Sequence, residues 1–312
     1  YDGTILATSS TVKTIKLWAI PSGKHLRTLT KHTSSVLRVA FSPNGKYLAS
    51  SSYDRTIKIW EVSTGKEIRS IPVTRGTVMT LAFSPDNQIL ASNYSYYGVD
   101  LWSVSTGQLV RRLQKSGYYT IRSMVFTKDG KELITADNNR KINFWRVSDG
   151  SALHTIDAGQ TYIYSMVLHP KDNTLALGYA SGAIEYWDIS TRKRILLIPS
   201  FHMWGSNKVA FLPDGKSLVS LSNDNTIRLW EISSGKEIRS FKKGTEIIQS
   251  LAVSANGKLL AAGFYSGDAA IKIWEISSGK ELKLEKGTEG PIFDLAFSPD
   301  GKTLASAADA HH

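Results

Sequence analysis

The sequence predicts an all-β protein built from seven copies of one four-stranded antiparallel unit. Two periodicities and one absence carry that prediction. A tryptophan closes an alternating apolar run at Trp18, Trp60, Trp102, Trp145, Trp187, Trp230 and Trp274, at intervals of 42, 42, 43, 42, 43 and 44 residues. Two turn signatures recur in step with it: FSPNGK-like segments begin at Phe41, Phe83, Phe126, Leu168, Phe211, Val253 and Phe297, and STGK-like segments at Pro21, Ser63, Ser105, Ser148, Ser190, Ser233 and Ser277. The absence is of any stretch with helical period, so short strands spaced by turns account for the whole chain.

The unit is clearest over Ser34–Ile71. SSVLRVAF is strand a, and SPNGK is the a–b turn, where Asn44-Gly45 predicts a tight type I′ hairpin because both residues tolerate positive φ. YLASSSYD is strand b with the b–c turn, RTIKIWEV is strand c, STGK is a second turn and EIRSI is strand d. In an antiparallel meander the a–b and c–d turns share one end of each sheet, and the b–c and d–a connections share the other.

This pattern resembles the WD-repeat family of β-propellers over essentially the whole chain. LASSSYDRTIKIWE from Leu48, LVSLSNDNTIRLWE from Leu218 and the FSPDGK turns carry the likeness. Only Trp187-Asp188 is a literal Trp-Asp pair; Glu61, Glu231 and Glu275 keep the acid, Ala19, Ser103 and Arg146 do not, and Lys31-His32 alone stands for the family's Gly-His. The resemblance implies a seven-bladed β-propeller, four antiparallel strands per blade, that works as a non-enzymatic scaffold for protein partners. Near-identical segments such as SSGKEIRSF and STGKEIRSI resemble bacterial tandem repeats found in signalling proteins, and a cytoplasmic location is expected.

Strand counting raises one question at the ends. The chain holds seven a, c and d segments but eight b segments, the outer two at Thr4–Ser9 and Thr303–Ala307. A ring closes by pairing its first and last segments, because an open strand edge invites aggregation. The expectation is therefore a closing blade shared by both ends, with strand a at Ile292–Phe297 joining c and d at Thr14–Leu29 and one b copy redundant. Residues 1–309 form one propeller domain on this reading, and 310–312 a tag remnant. A monomer is expected.

Composition narrows the function classes. With no cysteine, disulfides and cysteine-bearing metal sites are excluded. No apolar run reaches the roughly 18 residues that span a bilayer as a helix, which predicts a soluble chain. Lys+Arg 38 against Asp+Glu 27 leaves a net charge of +11, enough to raise polyanion binding as a second reading.

No chemical motif supports an enzyme, a cofactor or a metal site. Gly215-Lys216-Ser217 and Gly301-Lys302-Thr303 imitate the tail of a phosphate loop, but Ala210 and Ala296 stand where its first glycine belongs. His32, Ser50 (or Ser52), Asp54 and Trp60 match the family's buried hydrogen-bond chain in full, and Asp224 with Trp230, and Asp268 with Trp274, in part. A Ser-His-Asp set also invites nucleophilic catalysis. The indole partner and interior position favour structure instead. Asn93-Tyr94-Ser95 is a formal glycosylation sequon of the kind that arises by chance.

Two surface features remain. The b–c and d–a end carries Tyr94, Tyr96, Tyr97, Tyr118, Tyr119, Tyr162, Tyr164, Tyr179, Phe201, Met203 and Trp204, with Phe264, Tyr265 and Phe293 extending the set and Arg75, Arg122 and Arg140 nearby. Rigidly held rings bury much area at small entropic cost, so these are the candidate partner-binding residues, with the arginines placed for an acidic partner. The bland alternative is that some rings plug the interior or stand in for missing His-Asp contacts. The opposite end repeats lysine at 24, 46, 66, 131, 193, 216, 236, 258, 280 and 302. Nucleic acid or an anionic surface is the second candidate partner, through this lysine rim. Glu67, Glu237 and Glu281 beside the lysines dilute the field, and no interleaved aromatic favours single-strand binding.

Overall fold

The computed structural model describes residues 5–9, 13–19, 22, 24–94, 98–113, 120–159, 161–199, 206–222, 224, 226–241, 247–264, 271–282, 292–297 and 304–308. Among the described residues every regular element is a β-strand, and no helix is long and apolar enough to cross a membrane. The chain divides into two compact units, Tyr1–Gln160 and Thr161–His312.

In the first unit β1 (Ile5–Ser9), β2 (Ile15–Ala19) and β3 (His25–Leu29) form a three-stranded sheet. Three four-stranded meanders follow. They are β4 (Val36–Phe41), β5 (Tyr47–Ser52), β6 (Thr56–Glu61) and β7 (Glu67–Pro72); β8 (Val78–Phe83), β9 (Ile89–Tyr94), β10 (Gly98–Ser103) and β11 (Leu109–Leu113); and β12 (Ile121–Phe126), β13 (Glu132–Asp137), β14 (Lys141–Arg146) and β15 (Ala152–Asp157).

The second unit repeats the plan. Its sheets are β16 (Ile163–Leu168), β17 (Thr174–Tyr179), β18 (Ile184–Asp188) and β19 (Lys193–Ile198); β20 (Ser206–Phe211), β21 (Ser217–Ser222), β22 (Ile227–Glu231) and β23 (Glu237–Phe241); and β24 (Ile248–Val253), β25 (Leu259–Phe264), β26 (Ile271–Glu275) and β27 (Glu281–Leu282). A two-stranded sheet of β28 (Ile292–Phe297) and β29 (Leu304–Ala308) ends it. Six sheets are thus complete, while the ends supply strands b, c and d in β1–β3 and a and b in β28–β29. That is the inventory of seven four-stranded antiparallel sheets with one b copy in excess. Each b copy has its own partner: β1 pairs with β2, and β29 with β28.

The core of each unit lies between successive sheets. Strand c shows why: in β6 Ile57 and Ile59 pack with Ile71, Val78, Leu81 and Phe83 towards the following sheet, whereas Trp60 packs with Ile15, Leu17 and Leu29 of the preceding one. A strand covered on both faces must be apolar on both, which is why IKIW-type runs mark strand c. Strand d is one edge of each complete sheet, and most of its positions are exposed or half-buried, with Arg69, Arg111 and Arg112 blunting the edge against further pairing.

Two local features depart from the sequence reading. In the a–b turn only Gly45 has positive φ (69°), so the hairpin is not a type I′ turn at Asn44-Gly45. Its loop runs from Ser42 to Tyr47, closed by Ser42 N donating to Tyr47 O at 2.9 Å and Gly45 N to Ser42 O at 2.8 Å. Pro43 takes the first central position that its fixed φ favours, and the Asn44 side chain accepts from Lys46 N at 3.0 Å. The second feature is a bulge in the c–d ladder just before the tryptophan, at Leu17/Trp18, Ile59/Trp60, Leu101/Trp102, Phe144/Trp145, Tyr186/Trp187 and Leu229/Trp230. An extra residue there bends strand d and increases the local twist.

Candidate interaction rim and its buried supports

The b–c turns that carry the candidate rim are anchored from below by polar chains. In the β4–β7 sheet His32 Nδ1 lies 2.7 Å from Asp54 Oδ2, its Nε2 lies 2.7 Å from Ser50 Oγ, and Trp60 Nε1 donates to Ser50 Oγ at 2.8 Å. A neutral imidazole satisfies every partner: the indole N–H donates to Ser50, the Ser50 hydroxyl to Nε2, and Nδ1–H to the carboxylate. Asp54 also accepts from Thr33 N at 2.9 Å, Thr56 N at 2.9 Å and Thr56 Oγ1 at 2.7 Å. Ser50 is fully buried and its hydroxyl is committed on both sides, so this Ser-His-Asp set has no free nucleophile.

Other sheets keep the indole bond and change the rest. Trp102 donates to Ser92 Oγ at 2.8 Å, Trp145 to Thr135 Oγ1 at 3.0 Å and Trp230 to Ser220 Oγ at 2.8 Å, in each case ten residues back. Sequence reasoning missed Ser92, Thr135 and Ser220 as members of these chains, although a hydroxyl at that constant spacing was a usable signal. In the β16–β19 sheet the equivalent b position is Leu177, and Trp187 donates to Glu185 Oε2 at 2.8 Å instead. Asp224 accepts from Thr226 N at 3.0 Å. Asp268 lies outside the described residues.

Three expected rim residues are corrected by burial, Tyr94, Tyr179 and Phe264. Tyr94 and Tyr179, at 1% and 3% exposure, sit inside these chains and present no ring to a partner. Ser92 Oγ donates to Tyr94 OH at 3.1 Å, and Tyr179 OH donates to Glu185 Oε2 at 2.6 Å, so each phenol bonds the group that accepts from its sheet's indole, as His32 does in its own. Burial raises both phenol pKa values and keeps them neutral. Phe264 is buried as well. Asn93 of the sequon is fully buried and donates to Ile121 O at 2.7 Å, which leaves no glycan acceptor there.

On the surface, Tyr162 and Tyr164 are 53% and 41% exposed, and Arg122 and Arg140 are exposed. Tyr53, 59% exposed in the b–c turn after β5, belongs with them and was overlooked in the sequence. Arg75 lies in the β7–β8 connection facing that turn. Tyr96, Tyr97, Tyr118, Tyr119, Tyr265, Phe201, Met203 and Trp204 lie outside the described residues, as does the side chain of Phe293.

At the other end Lys24, Lys46, Lys66, Lys131, Lys193, Lys216, Lys236, Lys258 and Lys280 are all exposed, and Lys302 lies outside the described residues. Their main chains carry the fold: the carbonyls of Lys46, Lys131, Lys216 and Lys258 accept from the residue after strand c, at 2.8–3.0 Å.

Comparison with known proteins agrees with this architecture. A family model described as the IFT122 first beta-propeller matches residues 1–198, and one described as WD domain, G-beta repeat matches 201–231, 235–275 and 279–311. A guanine nucleotide-binding protein subunit beta from Oryza sativa subsp. indica is 26% identical over 152 residues, covering 43% of this chain and 39% of that protein. Polyadenylation factor subunit 2 of Candida albicans is 24% identical over 122 residues, 39% of this chain and 22% of that protein. The matched segments thus span well under half of these relatives. The crystal structure of the computationally designed Ika8 protein superposes with a TM-score of 0.81 at 25% identity, over 99% of this chain and 94% of that one.

Proposed function

The chain belongs to the WD-repeat β-propeller family, and on that premise we propose that it is a non-enzymatic scaffold that binds a protein or peptide on its b–c and d–a end. The observation that carries this reading is the contrast between the two ends of the sheets. One presents Tyr53 and Tyr162, each more than half exposed, with the turn of Tyr53 braced by the buried His32–Asp54 contact and Tyr162 O accepting from Ala180 N, and the other presents polar turns with a repeated lysine. Rings fixed on rigid strands lose little entropy on binding, which suits them as anchors. Two relatives are by name subunits of larger assemblies, which supports an interaction role.

The test compares the two ends. A partner captured by the wild-type chain is expected to be lost with Tyr162→Ala and with Trp204→Ala, while the melting temperature stays within a few degrees and Lys216→Gln still captures it. Capture by both ring-deleted variants would retire the rim.

A second reading rests on the exposed lysines and the net charge of +11: anion binding at the opposite end. Heparin retention that falls steeply with salt, and falls further with Lys216→Gln, would favour it over the rim. A flat salt response would exclude it.

A further inference from the structure

Within the first unit, the b–c turn after β5 and the β7–β8 connection enclose a cleft of about 520 Å³ lined by Ser52, Tyr53, Arg55, Thr74, Arg75, Gly76 and Thr77. The lining residues include two arginines and no acid. Asp54, between Tyr53 and Arg55 in sequence, does not compensate them, because its side chain is 3% exposed and both its oxygens are taken by His32, Thr33 and Thr56. Arg75 Nη1 is buried without a hydrogen-bond partner. A charged donor left unpaired away from water is costly, and such groups in native proteins point to a missing acceptor.

The cleft is built from the backbone up. Arg55 has positive φ (62°), and its carbonyl accepts from Val73 N at 2.8 Å, which staples the turn to the start of the β7–β8 connection. Among the described residues, no backbone–backbone hydrogen bond engages Thr74–Thr77, which line the cleft. Gly76, with φ of 111°, gives that segment a shape that a side chain would strain. Tyr53 supplies an exposed apolar wall.

We propose that this cleft recognises a carboxylate, and that the partner it takes is an acidic peptide. Charge complementarity selects this partner. A guanidinium presents a planar fork of N–H donors that matches the two oxygens of a carboxylate, and Arg55 and Arg75 offer two such forks in one concavity. The volume lies in the range of ligand sites that hold several groups, which suits a peptide segment better than a single free ion. This assignment deepens the rim reading and rests on it for the identity of the binding end.

The test is fluorescence anisotropy with a fluorescein-labelled hexaglutamate peptide and its hexaglutamine counterpart, at low and high salt. Hexaglutamate is expected to bind and hexaglutamine not to. Arg75→Gln should weaken hexaglutamate binding at least tenfold, and Thr74→Asp, an exposed change that places a like charge beside the ligand, should do the same with the fold undisturbed. Lys46→Gln, at the opposite end, should leave it within twofold. Equal binding of both peptides, an unchanged affinity in both cleft variants, or an equal loss with Lys46→Gln would overturn the assignment. Displacement of the peptide by a decathymidine oligonucleotide at lower concentration than by unlabelled hexaglutamate would overturn it in favour of nucleic acid. The two proposals fail separately. Arg75-dependent hexaglutamate binding with undiminished partner capture by Tyr162→Ala and Trp204→Ala sinks the aromatic rim alone. The converse pattern sinks the cleft alone.

Discussion

His32 shows how a residue-scale arrangement sets a property of the whole protein. Burial is the largest influence on its imidazole and lowers the pKa below 6.5, outweighing the hydrogen bond and charge of Asp54, which raise it. For Asp54 burial acts upward, but bonds from Thr56, Thr33 and His32 prevail and hold it below 3.8. In both cases the unfolded chain binds the proton at higher pH than the folded one. Their stabilisation is therefore complete above pH 6.5, falls as pH drops through the folded value of His32, and falls again as Asp54 protonates. The melting temperature of the wild type is expected to decrease from pH 7 to pH 5. His32→Gln should lower it at pH 7 and flatten that slope, and a variant with the wild-type slope would refute the link. His32, Ser50, Asp54 and Trp60 were legible in the sequence because four residue types in a known order identify them. Tyr94 and Tyr179 were not, since a tyrosine at the end of strand b can point outward or replace a missing histidine, and only packing chooses.

At the scale of elements, the repeated unit tolerates substitution where strands meet solvent and resists it where sheets meet each other. Gly263 on β25 is such a contact. A Cβ built there would lie 2.4 Å from Ile292 Cγ2 of β28 and 2.4 Å from Ser250 Oγ of β24. Both neighbours belong to packed strands, so the clash has no cheap relief. Gly263→Ala is expected to cost about 1–3 kcal/mol through overpacking. Differential scanning calorimetry should show a melting temperature several degrees lower; a value within one degree of wild type would mean that Ile292 does not seat there. The turns teach a similar lesson. Asn44-Gly45 correctly marked a hairpin, yet Pro43 and the Ser42 hydroxyl decided its form by fixing the preceding φ and closing the loop. The bulge before six of the repeated tryptophans left no trace in the spacing, because it moves strand d without changing the period.

For the whole molecule we propose that residues 1–309 act as one propeller domain with a closing blade shared by both ends. The described residues form 29 strands, one more than seven four-stranded sheets require. If β1 and β29 are alternative copies of the same strand, deleting either segment should leave a soluble protein with a single cooperative melt, and deleting both should abolish it. A cooperative melt after the double deletion would contradict the shared blade. The net charge of +11 also acts at this scale, drawing anionic partners to the surface as a whole. Specific recognition then falls to particular groups such as Arg75.

The number of strands, their order within each sheet and the all-β class were determined by the sequence alone, because a tryptophan and two turns repeated seven times leave one consistent pairing. Tertiary structure decided which rings face solvent, which tryptophan bonds to which hydroxyl, and that Tyr53, Arg55 and Arg75 share a cleft. The physical reason is range. Turn chemistry and alternation act between near neighbours and are written locally, whereas burial and charge compensation depend on what a connection twenty residues away brings alongside.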